Sequence, residues 1–153
     1  MSVYKYKMQG ILDIKGKLEE QAKQEFSVCA GRLMEEQRIL EDLYKQRDDI
    51  FAEGVRLRNT AIDVLKIKEN KLAAENNEAL IEKQMIEIKR AEKDLEVARY
   101  KMMQARTQTR TYEKLKENDF EEFMHEEGLR ESKEIDELNS YRSAFKAMSK
   151  GTD

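Results

Sequence analysis

The chain has 153 residues, 40% of them charged, with 29 basic side chains against 32 acidic ones and a net charge of -3. That near-balance argues against nucleic acid as the main partner, because phosphate neutralisation needs a basic face. A hydrophobic content of 39% with no Trp and no Pro excludes a thick core but suffices for a two-helix seam.

The first element is a helix expected over about residues 3–53. Its seam runs Phe26, Cys29, Leu33, Glu36, Leu40, Leu43, Arg47, Ile50, alternating steps of three and four residues. That is the a/d spacing of a heptad. Glu36 and Arg47 are polar at seam positions, a choice that costs stability and fixes register and partner. Met8, Leu12 and Ala22 keep roughly the same phase upstream, and Ile11, Ile14 and Leu18 widen the stripe.

Gly54 is the first plausible stop, since glycine commonly follows a helix end. Asn59 or Thr60 can cap a new start, with Asp63 three residues after Thr60 in capping-box fashion. The stretch 61–74 reads as a short helix. The run Glu75-Asn76-Asn77-Glu78 reads as a weak point, because asparagine side chains compete for backbone hydrogen bonds. These signals place an irregular or short-helical tip at about 54–78. The alternative is one bend at 54–60 followed by a continuous second helix.

The second long helix is expected over about 79–147. Its seam is Ile81, Gln84, Ile88, Ala91, Leu95, Ala98, Met102, Ala105, Thr109, Tyr112. Large residues alternate with small ones, which suits close antiparallel packing. Leu115, Phe120 and Phe123 read as a phase slip, and Ile135, Leu138, Tyr141, Phe145 and Met148 as a new series beyond Gly128. A kink at Gly128 is plausible, and the tail Ser149–Asp153 is expected to fray. Two comparable seams with a central break favour an all-α, single-domain antiparallel hairpin over residues 1–153, with both termini at one end. A parallel dimer is the competing arrangement.

Chemistry is scarce. The only histidine, His125, has Glu121 one helical turn away. Two ligands make no metal site, and the bland reading is a solvated histidine among acids. No phosphate-binding glycine loop, HExxH or CxxC is present. No enzyme activity, cofactor or metal is expected. Cys29 reads as a small seam residue, and a lone cysteine fits a reducing cytoplasmic compartment. No apolar run approaches the length of a membrane span, and no secretion signal is expected.

Several local patterns resemble the flagellar export protein FliJ family. They are the alternating aromatic start Tyr4-Lys5-Tyr6 with the apolar Ile11-Leu12-Asp13-Ile14, the segment Tyr112-Glu113-Lys114-Leu115-Lys116-Glu117, and Glu131-Ser132-Lys133-Glu134-Ile135-Asp136-Glu137. The resemblance runs end to end and is poorest over 54–80. It implies a stalk and chaperone-escort component of the flagellar export apparatus, shaped like the central stalk of a rotary ATPase. Implied partners are the hexameric export ATPase FliI, the export gate protein FlhA and export chaperones. Implied placement is the cytoplasmic face of the inner membrane, reached through those partners only.

On that resemblance the ATPase-ring contact falls on Tyr4, Tyr6, Met8, Ile11, Arg142, Phe145 and Lys146. The gate contact falls on Gln37, Leu40, Tyr44, Phe51, Leu80 and Gln84, with Tyr44 favoured because it lies off the strict seam. The runner-up reading is a generic structural coiled-coil spacer. A third is a chaperone-like holder gripping unfolded clients through exposed Met and aromatic residues.

Overall fold

The computed structural model describes residues 2–151. They form two helices, α1 (Gln9–Asn59) and α2 (Val64–Lys150), and no strand occurs among the described residues. The helices pack against each other as an antiparallel hairpin. The turn is only residues 60–63. Asp63 closes it: its Oδ1 accepts from the amides of Leu65 (3.1 Å) and Lys66 (3.3 Å), capping the free N–H groups that open α2. At the other side the Thr60 hydroxyl donates to the Arg56 carbonyl (3.2 Å).

The boundaries correct the sequence reading. The first helix is Gln9–Asn59 instead of 3–53, and the tip shrinks from 54–78 to 60–63. The second helix begins at Val64, so the stretch 61–74 and the Asn76-Asn77 pair lie largely or wholly inside it. The single-bend alternative is the one adopted, a few residues later than expected, and Asp63, not Asn59 or Thr60, is the cap. Gly128 is within α2, which runs through to Lys150, and Thr152 and Asp153 of the expected fraying tail lie outside the described residues.

Contacts divide the chain into two units: one is Leu18–Ala105, and the other joins Met1–Lys17 with Arg106–Asp153. In the first unit the expected seam is present. From Phe26 to Ile50 every predicted α1 position is half-buried except Arg47, which is exposed, and from Ile81 to Ala105 every predicted α2 position is buried or half-buried. Gly54 and Leu57 extend the α1 seam in the same steps and are both buried. Burying an apolar side chain of the size of Leu57 or Ile81 contributes about 1.5–3 kcal/mol.

A ladder of side-chain amides runs up this unit. Asn70 donates to the Ile50 carbonyl (2.9 Å), Asn77 to the Leu43 carbonyl (3.1 Å), and Gln84 to the Glu36 carbonyl (2.8 Å). Donors on α2 and acceptors on α1 both recur at heptad spacing. Gln84 also donates to the Glu36 carboxylate, which explains why Glu36 tolerates a seam position. Each amide reaches a backbone carbonyl only because the helices lie close. Gly54 allows that closeness: a Cβ there would lie 2.7 Å from the Asn70 Oδ1. The glycine read as a helix stop is therefore a contact residue within α1, in its last turns.

In the second unit residues 2–6 are extended, not helical, and lie along α2. Alternate residues of an extended chain face the same way, so Tyr4 and Tyr6 both turn to α2. The Tyr4 hydroxyl donates to the Lys116 carbonyl (3.3 Å) and to Asp119 (3.0 Å), and the Tyr6 hydroxyl to the Tyr112 carbonyl (3.4 Å). The Tyr4 ring meets Phe120 edge-on at 5.0 Å and Phe123 at 5.3 Å. Phe123 stands two heptads after Thr109 and is half-buried, so the seam continues through the segment read as a phase slip. Thr109 itself is buried and donates to the Lys15 carbonyl (3.1 Å).

Candidate functional site: a groove, a clasp and a bare helical face

The first surface lies beside the turn. A groove of about 580 Å³ is lined on α1 by Tyr44, Ile50, Phe51 and Gly54, and on α2 by Ile67, Ala74, Ile81 and Met85. The missing side chain at Gly54 helps to open it. Arg47, Arg58 and Lys71 stand at its edges with Glu78 and Glu82, so an apolar floor carries charges of both signs on its rim. Arg47 lies over the Tyr44 ring at 4.7 Å, a cation–π contact that orients the ring.

Of the residues expected at the gate contact, Tyr44 and Phe51 share this groove. Phe51 is 71% exposed, although a phenylalanine is normally sheltered. Gln37 and Leu80 are exposed, Leu40 is half-buried in the seam, and Gln84 is committed to Glu36 inside the hairpin. Sequence reasoning missed Ile67 and Ala74, because it placed the tip across the first part of α2, and it did not assign Met85, one turn after Ile81, to this contact. Continuing the Ile81 heptad backwards through Asn77 and Asn70 would have found that face.

The residues expected at the ring contact separate into two places. Tyr4 and Tyr6 are half-buried on the flank of α2, with Met8 and Ile11 exposed just beyond. Partial burial, aided by the hydrogen bond to Asp119, pushes the Tyr4 phenol above its ordinary pKa. Arg142, Phe145 and Lys146 belong to a different stretch. The N-terminal extension reaches α2 as far as Arg130, which meets Ser2 at 3.2 Å. From residue 131 to 150 α2 is exposed at every position. Ile135, Leu138, Tyr141, Phe145 and Met148 form an apolar stripe on this bare helix.

Among the described residues no three His, Cys, Asp or Glu side chains are grouped to hold a metal ion. His125 lines a shallow depression with Glu121, Glu122 and Glu126. Glu35 and Glu53 are held below the usual carboxylate range by hydrogen bonds from Arg38 and Arg56 one turn away, on exposed helix. Cys29 is a free, half-buried thiol. Among the described residues no helix is long and apolar enough to cross a membrane.

Taken together, the fold and its surfaces define a helical-hairpin coiled coil with a groove beside its turn and an uncovered stretch of α2. The sequence pattern of the family described as Flagellar FliJ protein matches residues 4–147. The chain belongs to that family, and with it to the flagellar export machinery. A search of curated proteins finds no match. Among solved structures, a protein of Chlamydia trachomatis described as a YscO homolog has a similar fold. It has a TM-score of 0.70 at 21% identity, over 90% of this chain and 94% of that one.

Proposed function

We propose that this protein is a non-enzymatic stalk and chaperone-escort component of flagellar export. The end of α2 enters the hexameric ring of the export ATPase FliI, and the turn end of the hairpin meets the export gate protein FlhA. The observation that carries the ring contact is the bare segment 131–150, an uncovered helix bearing Arg142, Phe145 and Lys146 beside an apolar stripe. A single exposed helix can follow the bore of a ring more easily than a pair can. Tyr4 and Tyr6 serve this contact indirectly, by tying the N-terminal extension to α2 short of that segment; Met8 and Ile11 flank it. The gate contact centres on Tyr44 and Phe51 in the groove, with Gln37 and Leu80 at its periphery. Association with the membrane runs through these partners, on the cytoplasmic side, where export chaperones also meet the chain.

The test is stimulation of the purified ATPase. Arg142→Glu with Lys146→Glu is expected to abolish most of the stimulation while helicity is unchanged. Full stimulation by that variant overturns the ring assignment. For the gate, Tyr44→Ala is expected to weaken binding by about 1–2 kcal/mol, the scale of a moderate hot spot. Unchanged gate binding overturns the groove assignment.

A further inference from the structure

The segment 131–150 has a charge pattern of which the ring contact uses only the basic half. Residues 131–140 carry Glu131, Glu134, Asp136 and Glu137 against Lys133 alone, a net -3. Residues 141–150 carry Arg142, Lys146 and Lys150 and no acid, a net +3. Each half is about three helical turns long, so the basic half extends well beyond the last turn, where a helix dipole favours cations. The segment is thus a helix with one acidic half, one basic half and an apolar stripe along both.

Such a helix is complementary to itself when turned end for end. In a parallel pair acid would face acid and base would face base. In an antiparallel pair the acidic half of each copy faces the basic half of the other. Centred between Tyr141 and Arg142, that pairing sets Ile135 against Met148, Leu138 against Phe145, and Glu137 near Lys146. The stripe then closes on itself with large residues facing large residues throughout. We infer that residues 131–150 pair antiparallel with the same segment of a second copy of this chain, forming a two-fold dimer through the bare end of α2. The inference is independent of the ring assignment, though the two uses of this face exclude each other: a paired copy has no free segment to insert.

The expected affinity is low. A single pair of helices of this length buries an area at the small end of specific interfaces, which gives a Kd on the order of 10–100 µM. Attraction between exposed charges is screened at high salt, where the Debye length falls to about 3 Å. Sedimentation equilibrium on the full chain, without any ATPase, should therefore show a monomer–dimer equilibrium that weakens several-fold in 1 M salt, roughly the screening limit.

Two charge variants test the pairing, and every change falls on an exposed residue. Glu134→Lys with Glu137→Lys turns the acidic half from a net -3 to a net +1, and Arg142→Glu with Lys146→Glu turns the basic half from a net +3 to a net -1, so that in each variant the two halves carry the same sign. Each alone is expected to dimerise at least tenfold more weakly than the native chain. An equimolar mixture is expected to pair at least as tightly as the native chain. A Ser132→Cys label in a Cys29→Ala background reads the direction. The two labels lie roughly 28 Å apart along an antiparallel pair at 1.5 Å per residue, and side by side in a parallel one. The inference is overturned if the native chain is monomeric at 500 µM, roughly five times the weakest expected Kd. It is equally overturned if both variants dimerise like the native chain, or if the labels lie side by side. A native monomer whose segment is needed for ATPase stimulation would leave the ring reading standing and this one refuted.

Discussion

Replacing Gly54 by alanine sets two known terms against each other. Alanine is favoured over glycine in a helix interior by about 1 kcal/mol. At an open position that gain should appear in full, and Gly31, with nothing within 4 Å of its missing Cβ, is such a position. At Gly54 the new Cβ would stand 2.7 Å from the Asn70 Oδ1, inside van der Waals contact. The amide must then swing away, and its 2.9 Å bond to the Ile50 carbonyl breaks. A lost bond costs about 1 kcal/mol, and a sheltered amide left without a partner costs about 1–3 kcal/mol. The cost wins, so Gly54→Ala is expected to destabilise by about 0.5–2 kcal/mol, whereas Gly31→Ala stabilises by about 0.5–1 kcal/mol. In an Asn70→Ala background the obstacle is gone, and Gly54→Ala should turn stabilising by about 1 kcal/mol. Urea unfolding of the four variants, followed by helical circular dichroism, gives the coupling directly. If Gly54→Ala stabilises the native chain as Gly31→Ala does, the close approach at Asn70 is not what the glycine is for.

Three further outcomes follow from particular contacts. Gln84→Glu places a second carboxylate against Glu36 and removes the donor to the Glu36 carbonyl, so it should destabilise by about 1–3 kcal/mol at neutral pH; unchanged stability in urea unfolding would contradict this. The Tyr4 phenol has a folded-state pKa above its unfolded value near 10.0. Its contribution is therefore complete below that value and fades as pH rises through the higher folded one. Absorbance titration against Tyr4→Phe should show one late-titrating phenol, brought earlier by Asp119→Asn, and no late phenol would count against the clasp. Thr109→Val removes the bond to the Lys15 carbonyl and should lower stability by about 1 kcal/mol, read as faster amide exchange near residues 106–112; unchanged exchange would show that bond to be dispensable.

The long seams were legible because one periodicity produced them. Every position from Ile81 to Tyr112 that fitted the heptad is buried or half-buried. What misled the reading was residue identity overriding phase. Gly54 and Asn77 have turn-forming chemistry, yet both stand in phase with the seam, where glycine also serves close approach and asparagine also serves buried hydrogen bonding. Arg47 shows the converse: phase put it in the seam, but its guanidinium is exposed over Tyr44. At the N-terminus the alternation of Tyr4 and Tyr6 is a period of two, and an extended segment was the physical meaning of that pattern. The exposed state of Ile135 to Met148 was not legible, because a stripe of apolar residues reads the same whether or not a partner helix covers it.

Backbone carbonyls are chemically alike at every step of a helix, so the amide ladder alone does not tell one heptad alignment from the next. If α1 slid by seven residues, Asn70 would meet the Leu43 carbonyl, Asn77 that of Glu36, and Gln84 that of Cys29. The rungs work as a vernier scale, sharp within a division and indifferent between divisions. The zero mark is supplied at one end. There the four-residue turn limits the slack between the helices, and the gap at Gly54 receives Asn70. During folding, a misaligned hairpin would keep the carbonyl rungs of its ladder but lose the contacts at that end and the Gln84 bond to the Glu36 carboxylate. Lengthening the turn would therefore harm alignment more than it harms helix content.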